Sequence, residues 1–283
     1  MKLMFTACSL IVFTARQAAN LSQKQKVNRR GLSMLGRVEK YLLEKIKAEG
    51  AIHMTLVDPE KMAPSQASQV AENSKINGTS AIMIGGSTFV SQVHLDEVIN
   101  AIKDVVEIPV ILFPNNITGI SPHADAIWFM SLLNSVDPYF LMGAQVLGAP
   151  LVKKYGLETI SMGYIIVGEG GAAGVVGKAI PVPYNKPDLT VAHALAGQYL
   201  GMHFIYLEGG SGAKNPVPPE MIQLVKKATD IPLIVGGGIR TKEQALAATS
   251  AGADIIVTGN IIETNDGERK ISEIIKGIKG NKD

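Results

Sequence analysis

The stretch Tyr206-Leu207-Glu208-Gly209-Gly210-Ser211-Gly212 sets a phenol and a carboxylate against a glycine-rich turn at the end of an apolar run. Glycine in a loop costs backbone entropy and is used where φ must be positive or where something approaches the backbone closely. A second cluster, Gly236-Gly237-Gly238, and a third turn, Gly259-Asn260, close two later apolar runs. Backbone N–H groups with no Cβ in the way suit phosphate oxygens. One such turn would be no more than a tight turn; three at successive run ends point to phosphate binding, with the hydroxyl of Ser211 as a further donor. Glu208, beside such a turn, has the position of a general base. An ion pair with Lys214 or Arg240 is its alternative role.

Two earlier runs end in different chemistry. "LVDPEK" places Asp58 at one tip, and "IGGST" places Ser87 and Thr88 at the next. A carboxylate beside a hydroxyl suits a hard cation that keeps several waters and takes its other ligands from substrate phosphates, which is the habit of Mg²⁺. Asp-Pro is also an ordinary turn starter. The histidines His53, His94, His123, His193 and His203 show no metal-ligand spacing and read as structural.

The elements that must hold these residues are legible from pattern. Eight short runs, over 52–57, 80–85, 109–114, 125–130, 159–167, 202–207, 232–236 and 254–259, are mostly apolar without alternation, as in strands covered on both faces. Helix signals lie between most of them. Pro64 opens one, 95–106 is another, and Pro187, Pro218-Pro219 and Thr241 open three more; "ERKISEIIKGIKG" is the last. Thr241 with Gln244 has the spacing of a capping box. Eight strands alternating with helices predict an α/β fold, a single (β/α)8 TIM barrel, with a doubly wound sheet as the alternative. Between the third and fourth strands, 115–124 is too short for a helix and two loops, so a loop is expected to replace the third helix of the barrel. "GEGGAAGVVG", Gly168 to Gly177, reads as a mobile loop after the fifth strand. The apolar stretch from Ile127 to Leu147 holds Trp128, Phe129, Tyr139, Phe140 and Met142; it reads as ordinary core, with a long apolar groove as the alternative.

Bulk properties narrow the function. The chain has 283 residues, 46% hydrophobic and 18% charged, enough for one large core. A net charge of +2 and 5% aromatics argue against nucleic acid as a partner. The single cysteine, Cys8, excludes an intrachain disulfide and a multi-cysteine metal site. Lys2, the apolar run 3–15 and small residues near Ala18 have the outline of a secretory signal. A helical pattern starts anew at Met34, with Leu35, Val38, Leu42, Leu43 and Ile46 on one face. Residues 1–33 are therefore expected to lie outside the fold, as an upstream start or a targeting segment, and residues 34–283 to form the catalytic domain.

Taken together, "LVDPEK", "IGGST", "ADAIWFMSLLNS", "MGYIIV", "AGQYLGMHFIYLEGGSGA", "PLIVGGGIR" and "IIVTGN" resemble the geranylgeranylglyceryl phosphate synthase family, the prenylglyceryl phosphate synthases. The resemblance runs from about residue 35 to the C-terminus. It implies a modified TIM barrel and a Mg²⁺-dependent prenyltransferase. The implied reaction joins a geranylgeranyl group from its diphosphate to sn-glycerol 1-phosphate, releasing diphosphate and making the first ether bond of archaeal membrane lipids. By position, Asp58 and Ser87 resemble the metal sites, and Tyr206, Leu207, Glu208, Gly209, Gly210, Ser211 and Gly212 the glycerol-phosphate loop. Gly237, Gly238, Gly259 and Asn260 match the remaining phosphate contacts. Glu208 and Tyr206 are the implied catalytic pair, base and substrate positioner. Some bacterial relatives carry a lysine where this chain has Leu56, and the segments 143–158 and 177–189 are of the longer archaeal type. The resemblance also implies a cytoplasmic homo-oligomer with loose membrane association for product release. The alternatives are a related synthase of another chain length, a sugar-phosphate isomerase or aldolase, or a non-catalytic phosphate-binding barrel. No lysine stands within the eight runs to form an aldolase's Schiff base.

Overall fold

The computed structural model describes residues 35–86, 91–259 and 266–280. The reading of residues 1–33 as a separate extension lies outside the described residues.

Eight parallel strands close into a barrel in chain order. They are β1 (Ile52–Val57), β2 (Ala81–Ile84), β3 (Val110–Leu112), β4 (Ala126–Leu132), β5 (Glu158–Ile166), β6 (Phe204–Glu208), β7 (Leu233–Gly236) and β8 (Ile255–Thr258). β1 closes on β8 through the pairs Ile52–Ile255 to Thr55–Thr258. The predicted runs match these strands to within about two residues, and the doubly wound alternative is excluded by closure.

Period-2 alternation sorts each strand into two layers. Met54, Met83, Ile111, Trp128, Met162, Tyr206, Ile234 and Val257 fill the barrel interior. Val57, Ile84, Leu112 and Ile127 face a helix layer on one flank. Ile165, Ile205, Leu207, Val235 and Ile256 face it on the other. Both faces are thus covered, which is why the runs are mostly apolar without polar alternation.

α1 (Arg37–Glu49) lies across the N-terminal end of the barrel. Its Val38 and Leu42 join the interior cluster. The Glu158 carboxylate, at the start of β5, accepts the N–H groups of Val38 and Glu39 at 2.8 Å each. A carboxylate there complements the helix N-terminus. Tyr41 donates to the Ser80 carbonyl just ahead of β2. This end is plugged, so a ligand has the other.

The outer helices are α2 (Pro64–Ile76), α3 (Gln92–Lys103), α4 (Ala144–Tyr155), α5 (Gly171–Val176), α6 (Pro187–Tyr199), α7 (Pro219–Ala228), α8 (Lys242–Ser250) and α9 (Gly267–Lys279). The Thr241–Gln244 capping box forms as predicted. α3 begins at Gln92, earlier than predicted, because Ser91 Oγ caps it by accepting the His94 N–H. After β3 only a 3₁₀ turn, Ile117–Gly119, interrupts the connection, and a loop stands where a helix would.

One expectation is corrected: Gly168–Gly177 is not wholly loop. Gly168, Gly170 and Gly171 take positive φ and turn the chain into the six-residue α5. Its Gly171 packs on Gly210, where a Cβ would come within 3.1 Å of the Gly210 Cα. Small residues make that helix possible, and they hide it from helix propensity.

Candidate active site

The C-terminal strand ends surround one cavity of about 630 Å³. On the side of β6, β7, β8 and β1 it is lined by Glu208, Ser211, Gly212, Gly237, Gly238, Gly259 and Asp58. On the side of β3, β4 and α4 it is lined by Phe113, Ile117, Ile120, Phe129, Phe140 and Val152. A polar mouth therefore opens directly into an apolar groove. The groove leaves the barrel where the helix after β3 is missing.

Strand alternation decides the β6 residues. Tyr206 and Glu208 point inward and line the cavity. Leu207 points outward, packed with Met221 and Ile222 of α7. The Leu207 side chain therefore faces the helix layer and not the cavity, which leaves only its backbone toward the strand ladder. Glu208 is buried, and its Oε1 accepts the Gly210 N–H at 2.6 Å. The phenols of Tyr206 and Tyr164 face it across the cavity. Burial pushes its pKa above the ordinary carboxylate range, while the Gly210 amide and the two phenols act in the opposite sense. Burial, and then the facing Glu208 carboxylate, push both phenols well above their ordinary value. Both tyrosines therefore stay protonated donors. Phe113 stacks on Tyr206 with ring centroids 5.7 Å apart, and meets Tyr164 edge-on at 5.4 Å.

Tyr164 was not legible as a site residue. It pairs across the ladder with Tyr206, a register that joins residues 42 positions apart. The only sequence signal was a tyrosine in the apolar second half of a strand, 162–166.

The glycine turns divide by role. The Gly209 N–H continues the ladder to the Gly236 carbonyl at 3.0 Å, and the Gly210 N–H is taken by Glu208. Those two amides are used within the protein. Gly237 and Gly238 both take positive φ, and a Cβ on Gly237 would lie 2.6 Å from Glu208 Oε1 and from the Gly210 nitrogen. These glycines let the β6 and β7 turns pack on each other. Gly259 is different: a Cβ there would make ordinary contact with Leu56, at 3.5 Å. Arg240 does not pair with Glu208. It donates to the carbonyls of Ala213 (2.6 Å), Lys214 (3.4 Å) and Gly238 (3.4 Å), fastening the two turns together.

Asp58 lines the mouth. Its carboxylate lies 3.4 Å from Lys61 Nζ and accepts the Glu60 N–H at 3.2 Å. It rests against the Cα of Gly86, which leaves room only because that residue has no side chain. Ser87 and Asn260 lie outside the described residues. Among the described residues no group of three His, Cys, Asp or Glu side chains is placed to hold a metal. A cation here would have one protein carboxylate and would draw its other ligands from substrate and water. That donor set fits a hard, oxygen-ligated cation such as Mg²⁺ and not a metal that needs imidazole or thiolate ligands.

The histidines take structural partners. His53 is buried between the hydroxyls of Thr79 (2.7 Å) and Thr258 (2.9 Å), and burial holds its pKa down to about 3. His203 bonds Glu39 at the plugged end.

The stretch from Ile127 to Leu147 is more than core. Ile127, Trp128, Phe129, Met130, Phe140 and Ala144 line the groove. A π-helical turn, Tyr139–Gly143, precedes α4, and Ser131 Oγ donates to the Leu141 carbonyl at 2.8 Å. Composition favoured plain core because the gap left by the missing helix is a tertiary feature.

The chain has close relatives among known proteins. The PcrB family matches residues 44–278. The geranylgeranylglyceryl phosphate synthase of Thermofilum pendens is 55% identical over 247 residues, which is 87% of this chain and 96% of that one. That of Thermococcus gammatolerans is 53% identical over 249 residues, 87% and 98% of the two chains. Among solved structures, the (S)-3-O-geranylgeranylglyceryl phosphate synthase of Thermoplasma acidophilum, in complex with its substrate sn-glycerol-1-phosphate, superposes with a TM-score of 0.83 at 41% identity, covering 87% of this chain and 99% of that one.

Proposed function

The chain belongs to the PcrB family, among the geranylgeranylglyceryl phosphate synthases, and on that footing we propose that it transfers a geranylgeranyl group from its diphosphate to sn-glycerol 1-phosphate. The single observation that carries the reading is one cavity in which a buried carboxylate and glycine turns meet a long apolar groove. A phosphate-bearing acceptor and a prenyl chain each have a surface of matching chemistry there.

Ser211, Gly212, Gly237, Gly238 and Gly259 receive the acceptor's phosphate at the polar mouth. Glu208, held by Gly210 and faced by Tyr206 and Tyr164, takes the proton of the glycerol hydroxyl. That oxygen bonds to C1 of the prenyl chain as the C1–O bond to diphosphate breaks, and diphosphate leaves. Carbocation character at C1 develops in a dry apolar surround, against Phe113 and the two tyrosine rings. A raised pKa suits a base that must both accept and release its proton near neutral pH. Mg²⁺ would be held by Asp58, with Ser87 as the further ligand implied by resemblance, and when bound it would offset the charge of the leaving diphosphate.

We place the enzyme in the cytoplasm, as a homo-oligomer in loose contact with the membrane that takes its product. No helix among the described residues is long and apolar enough to cross a membrane. Met142, Val146, Leu147 and Val175, on the elements that line the groove, are exposed apolar residues suited to either contact.

The test is to incubate the protein with radiolabelled sn-glycerol 1-phosphate and a series of prenyl diphosphates, then extract into organic solvent. Label in the organic phase, greatest with the C20 diphosphate, is the expected result. No label with any chain would overturn the reading and leave a phosphate-binding barrel.

A further inference from the structure

Residues 113–125 cross the gap in the helix layer as a strap. Its Pro114, Ile117 and Ile120 line the groove. Ile120 is 3% exposed, and its Cδ1 lies 3.1 Å from where a Cβ on Gly148 of α4 would sit. The strap and α4 are therefore opposed at that point.

The strap's ends are fixed by the barrel. The Phe113 N–H donates to the Ile84 carbonyl at 2.7 Å. Asp125 accepts the Val110 N–H at 2.9 Å and pairs with Lys103 at 2.8 Å. Asn116 accepts both the N–H and the hydroxyl of Thr118, which shapes the strap from within. The middle is fastened to a neighbouring helix by side chains. Ser121 is fully buried, and its Oγ donates to Asp96 Oδ1 of α3 at 2.5 Å while accepting the His123 N–H at 3.2 Å. Gln92 Nε2 donates to the same Asp96 oxygen at 3.0 Å. Neither Asp96 nor Ser121 lines the cavity.

We propose that Asp96 and Ser121 are positioning residues for the prenyl chain: their hydrogen bond holds Ile117 and Ile120 at the groove wall and so determines how tightly a long chain is bound. The proposal rests on the reading that the groove receives a prenyl diphosphate. A hydrogen bond from a buried hydroxyl to a carboxylate is stronger than a neutral one. Without it the strap must be ordered each time a chain binds, and that ordering weakens affinity. A short chain that stays at the barrel mouth, against Phe113, does not reach Ile117 or Ile120. The glycerol phosphate does not reach it either.

The experiment uses the full chain with Asp96→Asn, Ser121→Ala and the double variant. KM is measured for geranylgeranyl diphosphate, dimethylallyl diphosphate and sn-glycerol 1-phosphate. KM for geranylgeranyl diphosphate should rise about tenfold in each single variant, with the other two KM values within about twofold, as expected for one charge-assisted hydrogen bond. The double variant should be no worse than Ser121→Ala alone, since Asp96→Asn only weakens the bond that Ser121→Ala removes. An unchanged KM for the long chain, an equal rise for all three substrates, or additive single effects would each overturn the proposal. Asn preserves the shape of Asp96, so Asp96→Asn decides the matter if Ser121→Ala fails to fold. If the wild-type protein transfers no prenyl group, the proposed function fails on that fact alone. Calorimetric binding of the long and short diphosphates then makes the same comparison without turnover.

Discussion

The backbone N–H of Gly210 donates to Oε1 of Glu208 at 2.6 Å, so the turn that follows β6 holds the carboxylate that ends it. With the Tyr206 and Tyr164 phenols facing it, the carboxylate is oriented before any substrate arrives. A base so held is pre-organised, which is what general-base geometry requires.

Glu208→Gln keeps the shape and an acceptor oxygen for the Gly210 N–H but removes the basicity. We expect kcat to fall by about 10²–10⁴-fold, the usual contribution of such a base, with both KM values little changed. Steady-state kinetics at saturating substrates checks this. A kcat within about threefold of wild type would reduce Glu208 to an orienting acceptor, since that loss lies below the usual range.

The same substitution should alter the pH dependence of stability. Burial raises the Glu208 pKa above its ordinary 4.5, so between the two values the native state holds a proton that the unfolded chain has released. Stability contributed by this group is therefore present below the ordinary pKa and is lost as pH rises through the raised one. Subtracting the Tm–pH profile of wild type from that of Glu208→Gln cancels the other titrating groups. The difference should grow in favour of the variant as pH rises across that window. A flat difference would mean that the hydrogen bonds offset burial completely.

The glycines can be separated by substitution. Gly237→Ala forces a side chain into positive φ, with a Cβ 2.6 Å from Glu208 Oε1, and should lower Tm as well as activity. Gly259→Ala meets only ordinary contact with Leu56 at 3.5 Å. It should leave Tm unchanged, raise KM for sn-glycerol 1-phosphate, and spare KM for the prenyl diphosphate. Equal effects on both substrates would make Gly259 a structural turn.

Asp58→Ala should abolish turnover and keep the fold, because the side chain sits at the cavity mouth and not in the core. Excess chelator should do the same to wild type, with recovery on adding Mg²⁺. Full activity in the variant, or in chelator, would remove the metal from the mechanism.

The sequence by itself determined eight strands alternating with helices; that they close into a barrel and not a doubly wound sheet was decided by the tertiary structure. Continuous apolar runs with helix signals between them imply strands covered on both faces, and the short connection over 115–124 left no room for a helix, as the 3₁₀ turn at Ile117–Gly119 bears out. Local pattern suffices there because strand and helix periods are local quantities. Glu208 and the glycine turns were legible for the same reason: residue type and place at a strand end are both written along the chain. What only the tertiary structure decided lies across strands. Tyr164 is brought beside Tyr206 and Glu208 by a ladder register that no local pattern along the chain displays. Gly210 and Gly237 also let one turn pack on the other, a role invisible along the chain, because a neighbouring backbone, far away in sequence, occupies the space of their missing Cβ atoms. The groove itself is a gap between β4, α4 and the strap. A gap has no composition, so apolar residues that line it are indistinguishable in sequence from residues that fill a core.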